Sequence, residues 1–384
     1  DNVVAVVLQR AGPDHQLRRL HPANIRRGGR GASHRRGFHS GARSVGRQEH
    51  WEKVVIRISI GRLAVAATAL VLVAGCASTT GSSGAPASNG AGQQFVVGYS
   101  QSNNAEPYRA QLNLQLEHYI KQYPNLKLLP IADAAQDSGR QVSQVQQFIQ
   151  QKVNALIISP NEPAPLAAAV QQACAAKIPV IVLDRSVNSD CYSAFIGGDN
   201  FAAGQKAGQL AAQLLPNGGN VVELQGILSD QPQIDRDRGF RDGIKSNPKV
   251  KILANREAKW LKDNATTITN QWLAQGLKVD LVYGQNDPMA LGAYLAAASA
   301  GKQKSIKFIG TDGLAIPDGG IRAVQLGQLS GTFIYPTCAK EAADTVEALM
   351  TGKKVEKKTT LSIEAVTPAN AATLYQQYDF SNKK

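Results

Sequence analysis

From about residue 95 onward, apolar positions alternate between two periods. Phe95–Ser100 (Phe-Val-Val-Gly-Tyr-Ser) reads as a short strand. Tyr108–Gln122 follows, with Leu112, Leu116, Tyr119 and Ile120 at helical spacing. The alternation continues through a strand at Leu126–Ile131, a helix at Gly139–Lys152, a strand at Ala155–Ser159 and a helix at Ala164–Ala176. It closes on a strand at Val180–Leu183, four aliphatic residues in a row. A second series opens at Asp199-Asn200, which can cap a helix over Phe201–Leu215. Strands are predicted at Asn220–Leu224, Val250–Ala254, Leu281–Tyr283, Lys307–Gly310 and Gly331–Ile334. Helices are predicted at Arg236–Ser246, Ala265–Gln275, Pro288–Ala300, Ile316–Leu326 and Cys338–Leu349, and Trp260 and Trp272 read as core. Strict alternation implies parallel strands, right-handed crossovers and helices on both sheet faces. The expected fold class is therefore α/β, with two α/β lobes in series.

Upstream the pattern changes. Arg57 and Arg62 precede Leu63–Ala74, an apolar run too short to cross a bilayer but suited to the core of an export signal. It leads into Leu72-Val73-Ala74-Gly75-Cys76, which resembles a bacterial lipobox and implies cleavage before Cys76 and lipidation of its thiol. Residues 54–75 are thus read as a lipoprotein signal peptide and 76–93 as a flexible tether rich in Ala, Ser, Thr, Gly and Asn. Residues 1–53 show no helical periodicity and are expected to be a disordered, mis-annotated leader, with translation starting near Val54 or Val55.

Composition matters only once it is located. The formal charge is +13, but residues 1–62 hold twelve Arg and one Lys against four acids, which leaves +4 for the rest. The body therefore carries no excess that calls for nucleic acid. Five of the six histidines also lie in the leader, leaving His118 alone downstream. A His-rich zinc site is excluded, a His-based hydrolase would have one residue to draw on, and no cofactor is called for. Export favours disulfides. Cys174 and Cys191 flank the Val180–Leu183 strand and are the favoured pair; Cys191–Cys338 and free buried thiols remain open.

The candidate chemistry sits at strand ends, where ligands bind in parallel α/β sheets. Asp184-Arg185 closes the Val180–Leu183 strand and offers acceptors and a donor fork suited to a molecule dense in hydroxyls. Leu183-Asp184-Arg185, Gly198-Asp199-Asn200, Val221–Gly226, Asp235–Phe240, Gln285–Gly292 and Thr311-Asp312-Gly313 follow one another along the chain. In that order they resemble the ribose-binding-protein-like (type I) periplasmic sugar-binding proteins of ABC importers. Ser100-Gln101, Tyr108-Arg109 and Val222-Glu223-Leu224-Gln225-Gly226 look most like the galactofuranose-binding branch.

The resemblance implies two Rossmann-like lobes joined by a three-strand hinge, with crossings near Gly197–Asp199, Ile334–Thr337 and Leu361–Glu364. Lobe one would be 94–198 plus 335–361, and lobe two 199–334 plus 362–384. It places ligand contacts at Tyr108, Arg109, Ser159, Asp184, Arg185, Arg236, Asn286 and Asp312. Tyr335 reads mainly as structural, and Arg238 as a surface partner of Asp235. The implied ligand is a monosaccharide, the implied partner an ABC permease, and the implied protein a monomer held at the membrane by its lipid, with no enzymatic step. The rival readings are a sugar sensor presenting its closed form to a receptor, a sugar-responsive transcription regulator, and a glycosidase using Asp184 and Asp312.

Overall fold

The computed structural model describes residues 94–383. The leader, signal peptide, tether and Cys76 lie outside the described residues. In chain order the elements begin β1 (Phe95–Gln101), α1 (Pro107–Ile120), β2 (Leu126–Leu128), β3 (Ala132–Asp133), α2 (Ser138–Gln150), β4 (Ala155–Ser159), α3 (Ala167–Ala175), β5 (Val180–Leu183) and β6 (Ala194–Gly198). Next come α4 (Asn200–Leu214), β7 (Gly219–Gln225), α5 (Gln231–Gly243), β8 (Val250–Glu257), α6 (Lys262–Ala274), β9 (Leu281–Gly284), α7 (Asp287–Ser299) and β10 (Lys307–Ile309). The chain ends with α8 (Gly320–Gln325), β11 (Thr332–Ile334), α9 (Ala339–Met350), β12 (Lys358–Leu361), β13 (Glu364–Val366) and α10 (Ala371–Tyr378).

Two parallel sheets form the cores of two lobes. The first runs β12-β6-β5-β4-β1-β2, with β3 also on β1, and the second runs β10-β9-β7-β8. β11 and β13 pair antiparallel beside the second sheet, where Ile309 bridges Gly331. β4 and β5 are buried at every position, as covering a sheet on both faces requires. The chain passes between sheets three times: after β6, after β11 and after β12.

Six elements depart from the apolar pattern or from its expected bounds. β6 ends in two glycines, and β12 is an edge strand reading Lys-Thr-Thr-Leu, where polar residues discourage pairing with other chains. β13 and α10 lie in a tail whose pattern predicts nothing. α5 begins at Gln231 rather than Arg236, because Pro232 in its first turn starts the helix early. α8 is confined to Gly320–Gln325, after Pro317 and Gly319.

Tight contacts set the heights of the helices and the hinge. Gly204 and Gly208 of α4 face Gly239 and Gly243 of α5. A Cβ on Gly204 would lie 2.1 Å from the Arg236 carbonyl oxygen, and one on Gly239 would lie 2.2 Å from that of Phe201. Only hydrogen fits, so the two backbones touch. At the hinge, the Tyr335 hydroxyl accepts from the Gly198 N–H and from Asn200 Nδ2, both at 3.1 Å, joining the first and second crossings. Cys174 and Cys191 form a disulfide 17 residues apart, while Cys338 is a buried free thiol.

Two stability predictions follow from these contacts. Gly204→Ala should cost about 1–3 kcal/mol through overpacking and lower the melting temperature in circular dichroism. Cys174→Ser with Cys191→Ser should cost about 3 kcal/mol in the chain-entropy account, read as a lower denaturant midpoint under oxidising conditions.

Candidate functional site

The strand ends of the two sheets meet around a small cavity. Glu106, Tyr108, Arg109, Asp184 and Arg185 line it from the first lobe. Pro232, Arg236, Trp260, Asn286 and Asp312 line it from the second, with Tyr335 at the hinge. The enclosed space is about 20 Å³, room for about one water. Guanidinium groups and aromatic rings fill the rest, so a ring-sized ligand enters only if the lobes part and these side chains turn.

Arg109 and Asp184 form the central couple. Arg109 Nη2 lies 2.6 Å from Asp184 Oδ2, and Nη1 donates to Ser159 Oγ at 2.6 Å. Burial opposes charge on Asp184, but Arg109, then Arg185 and Arg236, outweigh it and hold the carboxyl below its ordinary value. Arg109 Nε is buried without an acceptor, an unused donor at the cavity wall. The neighbouring Arg185 is only 3.9 Å from Asp184 and turns elsewhere, to Glu106 Oε1 at 3.2 Å and Asp230 Oδ2 at 3.3 Å. Asp184 thus has its short ion contact with Arg109 and a longer one with Arg185. Its backbone lies in the left-handed region at φ 62°.

In the second lobe, Arg236 Nε donates to Asn200 Oδ1 at 2.9 Å and Nη1 to the Gln285 carbonyl at 2.6 Å. Its guanidinium lies over the Tyr335 ring, 4.6 Å from the centroid, and 5.5 Å from that of Trp260. Asn286 caps α7, accepting from the Met289 N–H and donating to the Trp260 carbonyl, both at 3.0 Å. Asp312 has φ 135° and is a buried residue of the cavity lining. Burial and then Asp287 push that carboxyl well up against the pull of Arg236, so it can present a proton where Asp184 presents a charge.

Seven of the eight candidate ligand residues line the cavity: Tyr108, Arg109, Asp184, Arg185, Arg236, Asn286 and Asp312. Ser159 does not. It is fully buried behind Arg109 and supports that guanidinium from outside the cavity. Trp260 is buried and packed in the second core, but its ring also forms cavity wall, and Tyr335 likewise does more than brace the hinge. Glu106 and Pro232 were not among the candidates. Their signals, an acid before a helical proline and a proline opening a helix, are ordinary helix starts.

A larger cavity of about 510 Å³ lies behind the hinge, lined by α1, α9, the crossings and the C-terminal tail. Apart from Asp312 it holds none of the charged residues above, and of its other charged residues Lys340, Glu364 and Lys383 are exposed and Glu341 half-buried. The strand-end cavity is therefore the candidate site. Among the described residues, no group of three His, Cys, Asp or Glu could hold a metal, and no helix is long and apolar enough to cross a membrane.

Comparison with known proteins agrees with this architecture. A family model described as a periplasmic binding protein domain matches residues 97–354. The ribose import binding protein of Bacillus subtilis (strain 168) is 30% identical over 274 residues, covering 71% of this chain and 87% of that protein. Among solved structures, the fructose-binding periplasmic domain of a hybrid two-component system is similar with a TM-score of 0.71 at 33% identity, covering 74% of this chain and 94% of the other. A galactofuranose-binding protein is similar with a TM-score of 0.69 at 27% identity, over 74% of this chain and 98% of the other.

Behind Arg236 the network carries a titratable group. Gln285 Nε2 donates to Glu223 Oε1 at 2.9 Å, and burial, then the carboxylate of Asp237, push Glu223 up to about 8. A native value above the unfolded one means a proton taken up on folding. That stability is complete in acid and is lost as pH rises from about 4.5 through 8. Glu223→Gln mimics the protonated form. Its melting temperature should exceed that of the parent at pH 8, and the gap should close near pH 5 in parallel calorimetric scans.

Proposed function

This chain belongs to the periplasmic binding protein family, and from that premise we propose that it captures a monosaccharide between its lobes for an ABC importer. The observation that carries the reading is the buried set of donors and acceptors at facing strand ends. Arg109–Asp184 stands on the first lobe, with Arg236, Asn286 and Asp312 on the second. Sugars need charged planar groups for adjacent hydroxyls and aromatic faces for their C–H patches. Arg109 Nε and the Asp312 carboxyl would serve the hydroxyls; Tyr108 and Trp260 would supply the faces. Arg185 would contribute those of its five donors that its protein partners leave free.

The parts that move would be 94–198 plus 335–361 and 199–334 plus 362–384, turning about the three crossings. Each buried charged hydrogen bond contributes about 1.5–3 kcal/mol. A few of them, less the cost of closure, reach the roughly 8 kcal/mol of a micromolar complex. Catalysis adds nothing to such a role, and the relatives' names describe binding proteins. Names among the relatives include ribose, xylitol and fructose, and a galactofuranose-binding structure is similar too, so a pentose, hexose or related polyol is the ligand class. The likeness to a sensor domain gives the second reading, a closed form read by a receptor instead of a permease. In either case Cys76 would carry the lipid that keeps the protein at the membrane as a monomer.

A thermal-shift panel of D-ribose, D-fructose, D-galactose, L-arabinose, xylitol and myo-inositol tests the reading. One member at a hundredfold over its dissociation constant should add about 2.7 kcal/mol of stability. Asp184→Asn should abolish that shift; a flat response of the intact protein to the whole panel, and to a galactofuranoside added to it, would refute sugar capture. Metabolic labelling with a fatty-acid analogue should mark the parent chain and not Cys76→Ser.

A further inference from the structure

Glu106 and Asp230 stand at the N-caps of α1 and α5, yet neither side chain bonds the first turn of its helix. Acids at that position ordinarily satisfy the free N–H groups there. Both turn instead to the same guanidinium. Arg185 Nη2 lies 3.2 Å from Glu106 Oε1 and Nε lies 3.3 Å from Asp230 Oδ2. Nη1 adds a long contact to the Asn161 carbonyl at 3.4 Å. Arg185 and Glu106 belong to the first lobe and Asp230 to the second, so one of these contacts exists only while the lobes touch. Asp230 Oδ2 also accepts from Trp260 Nε1 at 3.0 Å, and the Arg185 guanidinium lies 5.6 Å from the centre of that indole. The Asp230 side chain is fully buried, with Oδ1 unpartnered.

We propose that Asp230, braced by Trp260, is a latch that grips Arg185 across the cleft and holds the lobes together without help from a ligand. The latch rests on the proposed cleft closure, but not on which sugar is bound. Two further contacts cross the lips of the cleft, Ser229 Oγ to Glu162 Oε1 at 3.1 Å and Gln136 Nε2 to the Lys259 carbonyl at 3.2 Å. Both involve exposed groups and compete with water, whereas the Arg185–Asp230 pair is dry. Burial pushes the Asp230 carboxyl up to about 6, and Arg185 and the indole pull it back toward the charged form. A latch of this kind biases the lobes toward closure. By population shift it would tighten sugar binding without touching the sugar.

The test has a ligand-free arm and a sugar arm. Small-angle X-ray scattering of the ligand-free protein should give a larger radius of gyration for Asp230→Ala than for the parent, with Asp230→Asn between them. Asn keeps an acceptor for the indole and loses the charge, so it reports the latch even if the alanine variant misfolds. Ser229→Ala should scatter like the parent. With D-fructose or D-ribose, whichever gives the larger thermal shift, dissociation from Asp230→Asn should be about tenfold faster. Unchanged scattering for both Asp230 variants overturns the latch, as does a lowered melting temperature without any change in scattering or dissociation rate. A protein that binds no sugar, yet opens in Asp230→Ala, refutes the sugar reading and keeps the latch.

Discussion

Three guanidinium groups and four carboxyls share one water-poor cleft, and the rest of the structure answers to that constraint. Each ion taken from water costs several kcal/mol unless it is paired and hydrogen-bonded. Arg109 meets the demand with Asp184 and Ser159, Arg236 with Asn200 and the Gln285 carbonyl, and Arg185 with Glu106 and Asp230. None of these sets is local in sequence. Each brings together the ends of different elements, so the sheets must hold their strand tips in fixed register for any of the pairs to form.

The scaffold supplies that register through contacts with no slack. Arg236 is held at its height because the α4 and α5 backbones touch at glycines, and the Arg236 carbonyl is itself one of the touching atoms. Tyr335 joins two of the three crossings through one hydroxyl and lays its ring against Arg236. A hinge residue and a site residue are thus one side chain. Strain gathers in the same place, with Asp184 at φ 62°, Trp260 at φ 67° and Asp312 at φ 135°.

The alternation of periods made the α/β class legible; strand-end charge marked Asp184 and Arg185, and the other cavity residues were legible only through the resemblance to sugar-binding proteins. Val180–Leu183 announces a buried strand, and Asp184 and Arg185 follow it directly, so pattern and chemistry coincide in six residues. What the sequence hid are roles that depend on distant partners. Trp260 reads as core because it is core; only the meeting of the lobes turns one face of its ring into cavity wall. Glu106 and Asp230 read as helix starts because they sit at helix starts. β12 was hidden for another reason, since an edge strand suppresses the apolar signal that would reveal it.

The two halves of the cleft are not equivalent in charge. On the first lobe Asp184 is held ionised by its arginines, while on the second burial drives Asp312 toward its protonated form. A hydroxyl can donate to the first and accept from the second, so a polyhydroxylated ligand spanning the gap meets an acceptor on one wall and a donor on the other. A carboxylated ligand would set a further anion beside Asp184 in a water-poor cleft. Neutral polyols add no such charge. The arrangement of charge, more than the shape of a cavity of about 20 Å³, therefore favours neutral sugars, and any shape selectivity must arise as the lobes close and these side chains turn around the guest.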